Sequence, residues 1–124
     1  MFLPGGYATR DLRHDEVFAE WLRSAAPCEY KTSVCTGSLL LGAAGLLVGR
    51  RATTHPSEFD TLAEYAEIVD DRVVQDGNLI TGRGVSSALD LGLYVVETLS
   101  DAETRTAIAK QMDSPYGGGV SANK

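Results

Sequence analysis

The stretch Val34-Cys35-Thr36-Gly37-Ser38 decides how this chain of 124 residues is read. Before it, Glu29 to Val34 alternates and carries Tyr30, Thr32 and Val34, the pattern of a strand. After it, Leu39 to Val48 is apolar almost all round, as in a helix packed on a sheet, with Gly49 as its expected cap. A strand passing abruptly into a buried helix leaves a sharp bend at the sheet's carboxyl edge, and Cys35 sits on it. Gly37 lets backbone pack close behind, and the helix N-terminus favours the thiolate, the form that attacks carbon electrophiles. A small buried core residue is the ordinary reading of a lone cysteine. Cys28, just after Pro27 at a strand start, keeps that reading, whereas the bend makes Cys35 the candidate nucleophile.

Outward from the bend, strand and helix patterns alternate, which predicts an α/β fold with a largely parallel sheet. Met1 to Leu3 reads as the end of a buried strand, broken by the tight loop Pro4-Gly5-Gly6. Val17, Phe18, Trp21, Leu22 and Ala25 recur at helical spacing over 11–26. Arg51 to Thr54 is a short strand ending at His55-Pro56, and Phe59, Leu62, Ala63 and Ala66 outline a small helix beyond it. Arg72 to Gln75 and Asn78 to Gly82 flank Asp76-Gly77, a strong hairpin signal. Leu89, Gly92, Leu93 and Val96 share a face of a helix over 86–99, and a more polar helix covers 102–112. The domain is expected over 1–113, and Pro, three glycines and small polar residues predict a flexible tail over 114–124.

Composition narrows the function. Eleven Lys+Arg against 17 Asp+Glu give a net charge of -6, and no basic run supports nucleic-acid binding. No apolar run is long enough to span a membrane and no secretion signal opens the chain, so a cytoplasmic protein with reduced cysteines is expected. Charge developing on an attacked carbon needs fixed donors, and the backbone N–H groups of Gly6 and Thr36 are the candidates, with Gly5 allowing close approach. His55 closes a strand at the same expected rim, either as an acid or base or as a loop histidine satisfied by a carbonyl. His14 reads as a surface residue. Arg83, between two glycines, either reaches a substrate anion or ties a loop to a carboxylate; the second is favoured, with Asp90 as partner. One Cys and one His fall short of a metal-ligand set, and Gly82-Arg83-Gly84 is not a dinucleotide fingerprint.

As a set, several motifs resemble the ThiJ/PfpI superfamily in order and spacing through about Leu99. They are Pro4-Gly5-Gly6, the Cys35 bend, Gly42-Ala43-Ala44-Gly45-Leu46-Leu47, Ala52-Thr53-Thr54-His55 and the run from Asp76 to Val85. The resemblance implies a flavodoxin-like three-layer sandwich related to class I glutamine amidotransferase domains, commonly dimeric and here a homodimer. Cys35-Thr36-Gly37-Ser38, Thr53-Thr54-His55 and the Ala109-to-Tyr116 helix end look most like the isonitrile hydratase branch. That branch implies a cysteine-dependent, cofactor-free hydration of a small, uncharged electrophile to an N-substituted formamide.

His55-Pro56 and Arg83 lean toward the glyoxalase/deglycase branch, which acts on α-oxoaldehydes. Thr36 stands where the protease branch carries His, which speaks against peptidase activity. A non-catalytic redox- or ligand-sensing module is the alternative from another class, although no helix-turn-helix pattern follows Leu99. The family pattern opens with a strand, a helix and further strands before the Pro-Gly-Gly loop, and takes from them an Asp or Glu beside the cysteine. No acidic residue here maps onto it. The fold is therefore expected to lack its first elements, and with them acid–base help typically worth about 10² to 10⁴ in rate.

Overall fold

The computed structural model describes residues 1–115 and 121–124. In chain order the elements are β1 (Phe2–Leu3), α1 (Thr9–Leu12), α2 (Glu16–Arg23), β2 (Lys31–Val34), α3 (Gly37–Ala43), β3 (Arg51–Ala52), α4 (Phe59–Leu62), β4 (Glu67–Ile68), β5 (Val73–Asp76), β6 (Leu79–Gly82), α5 (Ala88–Leu99) and α6 (Ala102–Gln111). The sheet runs β1-β2-β6-β5: β1, β2 and β6 are parallel, and β5 joins β6 as an antiparallel hairpin. Gly77, at φ +59°, turns that hairpin where Asp76-Gly77 predicts it. Every residue of β2 is buried, because apolar side chains cover both faces of the sheet. Leu3, Leu39, Leu40, Leu41, Leu47 and Leu79 belong to one core cluster, and Val34, Val73, Ile80, Leu91 and Tyr94 to the other. This is the α/β, largely parallel, flavodoxin-like architecture that the sequence implies, and it places the C-terminal ends of β1 and β2 side by side.

Several boundaries differ from the periodicity. The helix expected over 11–26 is two, because the Asp15 side chain accepts the Phe18 N–H (3.1 Å) and caps a fresh start at Glu16. Ala19 and Leu22 of α2 are buried, whereas Val17 and Trp21, expected on the buried face, are exposed. Helix α3 starts at Gly37 and ends at Ala43, short of the expected Val48, because Gly45 turns left-handed at φ +78°. Only Arg51–Ala52 of the expected strand over 51–54 pairs, and its partner β4 falls in a stretch with no strand pattern; together they form a separate parallel pair. A 3₁₀ turn, Pro56–Glu58, precedes α4, which is shorter than its apolar residues suggest.

The chain end also differs from a free tail. The Asn123 N–H donates to Val73 O (2.9 Å) and its carbonyl accepts from Gln75 N–H (2.7 Å), so it covers the outer edge of β5. The rest of the expected tail over 116–120 lies outside the described residues.

Asp76 ties the hairpin to β3: its Oδ2 accepts from Arg51 N–H (2.9 Å) and Arg50 Nε (3.3 Å). The Arg51 N–H, with the Arg50 guanidinium behind it, holds this carboxyl below the usual carboxylate range. A depressed folded value stabilises the protein above the unfolded value of about 3.9, and that contribution is lost as pH falls through the folded value. Asp76→Asn is expected to cost about 1 kcal/mol at neutral pH, discounting for partial exposure, and progressively less as pH falls below the unfolded value of Asp76. Urea midpoints of both proteins from pH 7 down to about 3 check this.

Candidate active site

Cys35 stands at φ +56°, a left-handed conformation that non-glycine residues adopt only where the surroundings enforce it. Its N–H donates to Gly82 O (3.0 Å) on β6, and its carbonyl accepts from Thr54 Oγ1 (2.8 Å). The next residue closes the bend from the other side. Thr36 Oγ1 accepts from Gly6 N–H and donates to Gly6 O, both at 3.1 Å, which pins the Pro4-Gly5-Gly6 loop to the start of α3.

Two glycines make this approach feasible. A Cβ on Gly37 would lie 2.4 Å from Leu3 O, so α3 can begin against the end of β1 only with glycine there. A Cβ on Gly5 would lie 2.8 Å from Cys35 Cβ, 3.0 Å from Thr36 N and 3.2 Å from Cys35 Sγ, so Gly5 leaves the thiol and the Thr36 amide uncovered.

Beneath the bend runs a buried chain of hydroxyls. Ser38 Oγ donates to Thr53 O (2.7 Å), so in the Ser33–Ser38 contact (2.7 Å) Ser33 is the donor. Thr81 Oγ1 accepts from Thr53 N–H at 3.0 Å. Ser33, Ser38, Thr53, Thr54 and Thr81 are all fully buried. They join β2, α3, the chain after β3 and β6, and so fix the segment that delivers His55 relative to Cys35.

Cys35, Thr36, Gly5, Gly6 and His55 line one cavity of about 460 Å³, together with Val34, Val85 and Ala88 as apolar wall and Tyr7, Arg10 and Ser57 as polar groups. His55 Nδ1 accepts from Ser57 N–H (3.2 Å) in the tautomer that carries the ring proton on Nε2. Ser57 Oγ, 2.8 Å from Nδ1, can also accept, so the ring can carry its proton on Nδ1 and leave Nε2 open to take one.

Two expectations need correction. The Gly6 N–H is not an open oxyanion donor, since it is spent on Thr36 Oγ1, which leaves the Thr36 amide, next to Cys35 in the chain and on the same cavity, as the remaining candidate of the two. Arg83 lines not this cavity but an adjoining pocket that shares His55 and Val85 with it, and it pairs with Asp70 (3.0 Å), while Asp90 pairs instead with Arg72 (2.6 Å). Both arginines tie loops to carboxylates, but with partners other than the expected one. Cys28 also lies outside the cavity.

Arg10 and Tyr7 were not marked by any motif; the only signal was their place just after the Pro4-Gly5-Gly6 loop. Among the described residues no three His, Cys, Asp or Glu side chains are grouped to hold a metal ion, and no helix is long and apolar enough to cross a membrane.

Strain at Cys35 has a measurable consequence. Cys35→Gly is expected to exceed Cys35→Ala in unfolding free energy by about 1 kcal/mol, because glycine alone is at ease at positive φ. Equal denaturation midpoints would contradict an enforced bend.

An α/β domain with a cysteine on the strand-to-helix bend, faced by a Gly-rich loop and a histidine, belongs to the class of cysteine-elbow proteins. Within it the chain is a member of the DJ-1/PfpI family, whose pattern matches residues 1–98. It is 46% identical over 113 residues to isonitrile hydratase of Pseudomonas putida, a match covering 90% of this chain and 50% of that protein. Glutathione-independent glyoxalase DJR-1.2 of Caenorhabditis elegans is 29% identical over 114 residues, 90% of this chain and 61% of that one. The fold superposes on a ThiJ/PfpI family protein of Pseudomonas syringae with a TM-score of 0.88 at 41% identity, covering 92% of this chain and 48% of that one. The chain thus spans about half the length of the first curated relatives it matches.

Proposed function

We propose that this domain catalyses cysteine-dependent addition of water to a small electrophile, with an isonitrile as substrate and an N-substituted formamide as product. The carrying observation is that Cys35, held at φ +56°, lines the same cavity as His55. The similarity to isonitrile hydratase of Pseudomonas putida supports the choice of substrate.

The chemistry balances without a cofactor. Cys35 Sγ bonds to the terminal isonitrile carbon while its proton passes through His55 Nε2 to that same carbon, giving a thioimidate, S–CH=N–R. Water then adds across the C=N bond, hydroxyl to carbon and proton to nitrogen. The C–S bond breaks, the hydroxyl proton returns to sulfur, and HC(=O)–NH–R leaves. The Thr36 N–H is the donor for negative charge developing beside the attacked carbon. The reading carries with it the homodimer that the family resemblance implies and the cytoplasmic location expected from the sequence.

His55 at the cavity favours a second reading on α-oxoaldehydes. The thiol adds to the aldehyde carbon, a proton moves to the neighbouring carbon, and water releases a 2-hydroxy acid. Parallel assays with a neutral isonitrile and with methylglyoxal separate the two. Formamide from the first at a rate above lactate from the second supports hydration; lactate alone transfers the assignment to the glyoxalase reaction, and neither product refutes catalysis.

A further inference from the structure

The geometry points to a substrate that carries a carboxylate in addition to its electrophilic carbon, with Arg10 as the residue that selects it. This rests on Cys35 as the attacking group and replaces the uncharged substrate expected from sequence. Among the described residues Arg10 is the one permanently charged side chain lining the cavity. Its Nε donates to Glu58 Oε1 at 2.7 Å, and its Cζ lies 5.1 Å from the centre of the Tyr7 ring.

Glu58 is in turn held by Thr61 Oγ1 (2.8 Å), and that hydroxyl, with Arg10 behind it, keeps the carboxyl below its usual range and so ionised. A guanidinium fixed through Nε and backed by a ring keeps its orientation. Its two Nη groups make no hydrogen bond to any described residue, and paired N–H donors of this kind match the two oxygens of a carboxylate. Glu58 does not line the cavity, so it orients the arginine without presenting its own charge to the ligand. Because Glu58 offsets the net charge, selection comes from directed hydrogen bonds, and a preference of about tenfold to thirtyfold is the expected scale.

The test compares isocyanoacetate and 3-isocyanopropanoate with their methyl esters, which share the reacting carbon and lack the charge. In the unaltered protein kcat/KM is expected to favour at least one acid over its ester by about tenfold or more, through KM. Arg10→Gln is expected to bring the ratio to about one, and Arg10→Lys to restore part of it, which separates anion recognition from a folding defect. Ester turnover with no preference for either acid, or a ratio unchanged in Arg10→Gln, would overturn the assignment.

If no isonitrile is turned over, it is the hydration reading that fails, and anion binding is decided separately. Propionate should then slow alkylation of Cys35 by iodoacetamide in the unaltered protein but not in Arg10→Gln, while propionamide should not. Absence of protection by propionate would overturn the proposal.

Discussion

Cys35→Ala is expected to lower formamide formation by at least about 10³-fold with the fold intact, because the covalent route loses its nucleophile. Cys28→Ala is expected to stay within about twofold of the unaltered protein, since Cys28 lies outside the cavity. Steady-state rates of the two variants on one isonitrile, with circular dichroism to confirm folding, decide the matter. A Cys35→Ala protein retaining a tenth of the rate, or a Cys28→Ala protein losing most of it, would remove the bend cysteine from the chemistry.

Gly5→Ala should be nearly as damaging while leaving the thiol in place. The added methyl would sit 2.8 Å from Cys35 Cβ, closer than packed atoms tolerate, and tight against Thr36 N (3.0 Å) and Sγ (3.2 Å). Either the loop retreats and the Thr36 Oγ1 bonds to Gly6 break, or the methyl stands over the thiol and its amide donor. Loss of one donor typically costs about 10² to 10³ in kcat, and a fall of that order is expected here. Alkylation of Cys35 by iodoacetamide should slow in parallel. A variant with unchanged turnover and alkylation would show that nothing essential lies between Gly5 and the thiol.

Much of the site was legible because local rules and the tertiary arrangement agree there. Strand alternation up to Val34, then Gly37 and a wholly apolar run, leave the chain little choice but a sharp bend at Cys35. His55 could be placed at the rim because it ends a strand-like stretch. The misreadings share a different cause, since periodicity reports which residues are apolar but not where a cap or a positive φ interrupts them. Asp15 divides one apparent helix into α1 and α2, and Gly45 stops α3 within an unbroken apolar run.

Long-range polar partners were equally hidden. The sequence suggests Arg83 as the partner of Asp90, and only the fold shows that Arg72 takes that place. The Gly6 N–H is consumed by a hydroxyl thirty residues away. Arg10 reaches the cavity because Glu58, 48 residues away, holds its guanidinium, a relation that no spacing encodes.

Mass analysis of protein quenched during turnover addresses the covalent step most directly. With borohydride added to reduce a thioimidate, the peptide bearing Cys35 should gain the mass of one whole isonitrile plus two hydrogens, and the Cys28 peptide should gain nothing. Formamide accumulating while the Cys35 peptide keeps its unmodified mass, or an adduct found on Cys28 instead, would contradict the role assigned to the bend.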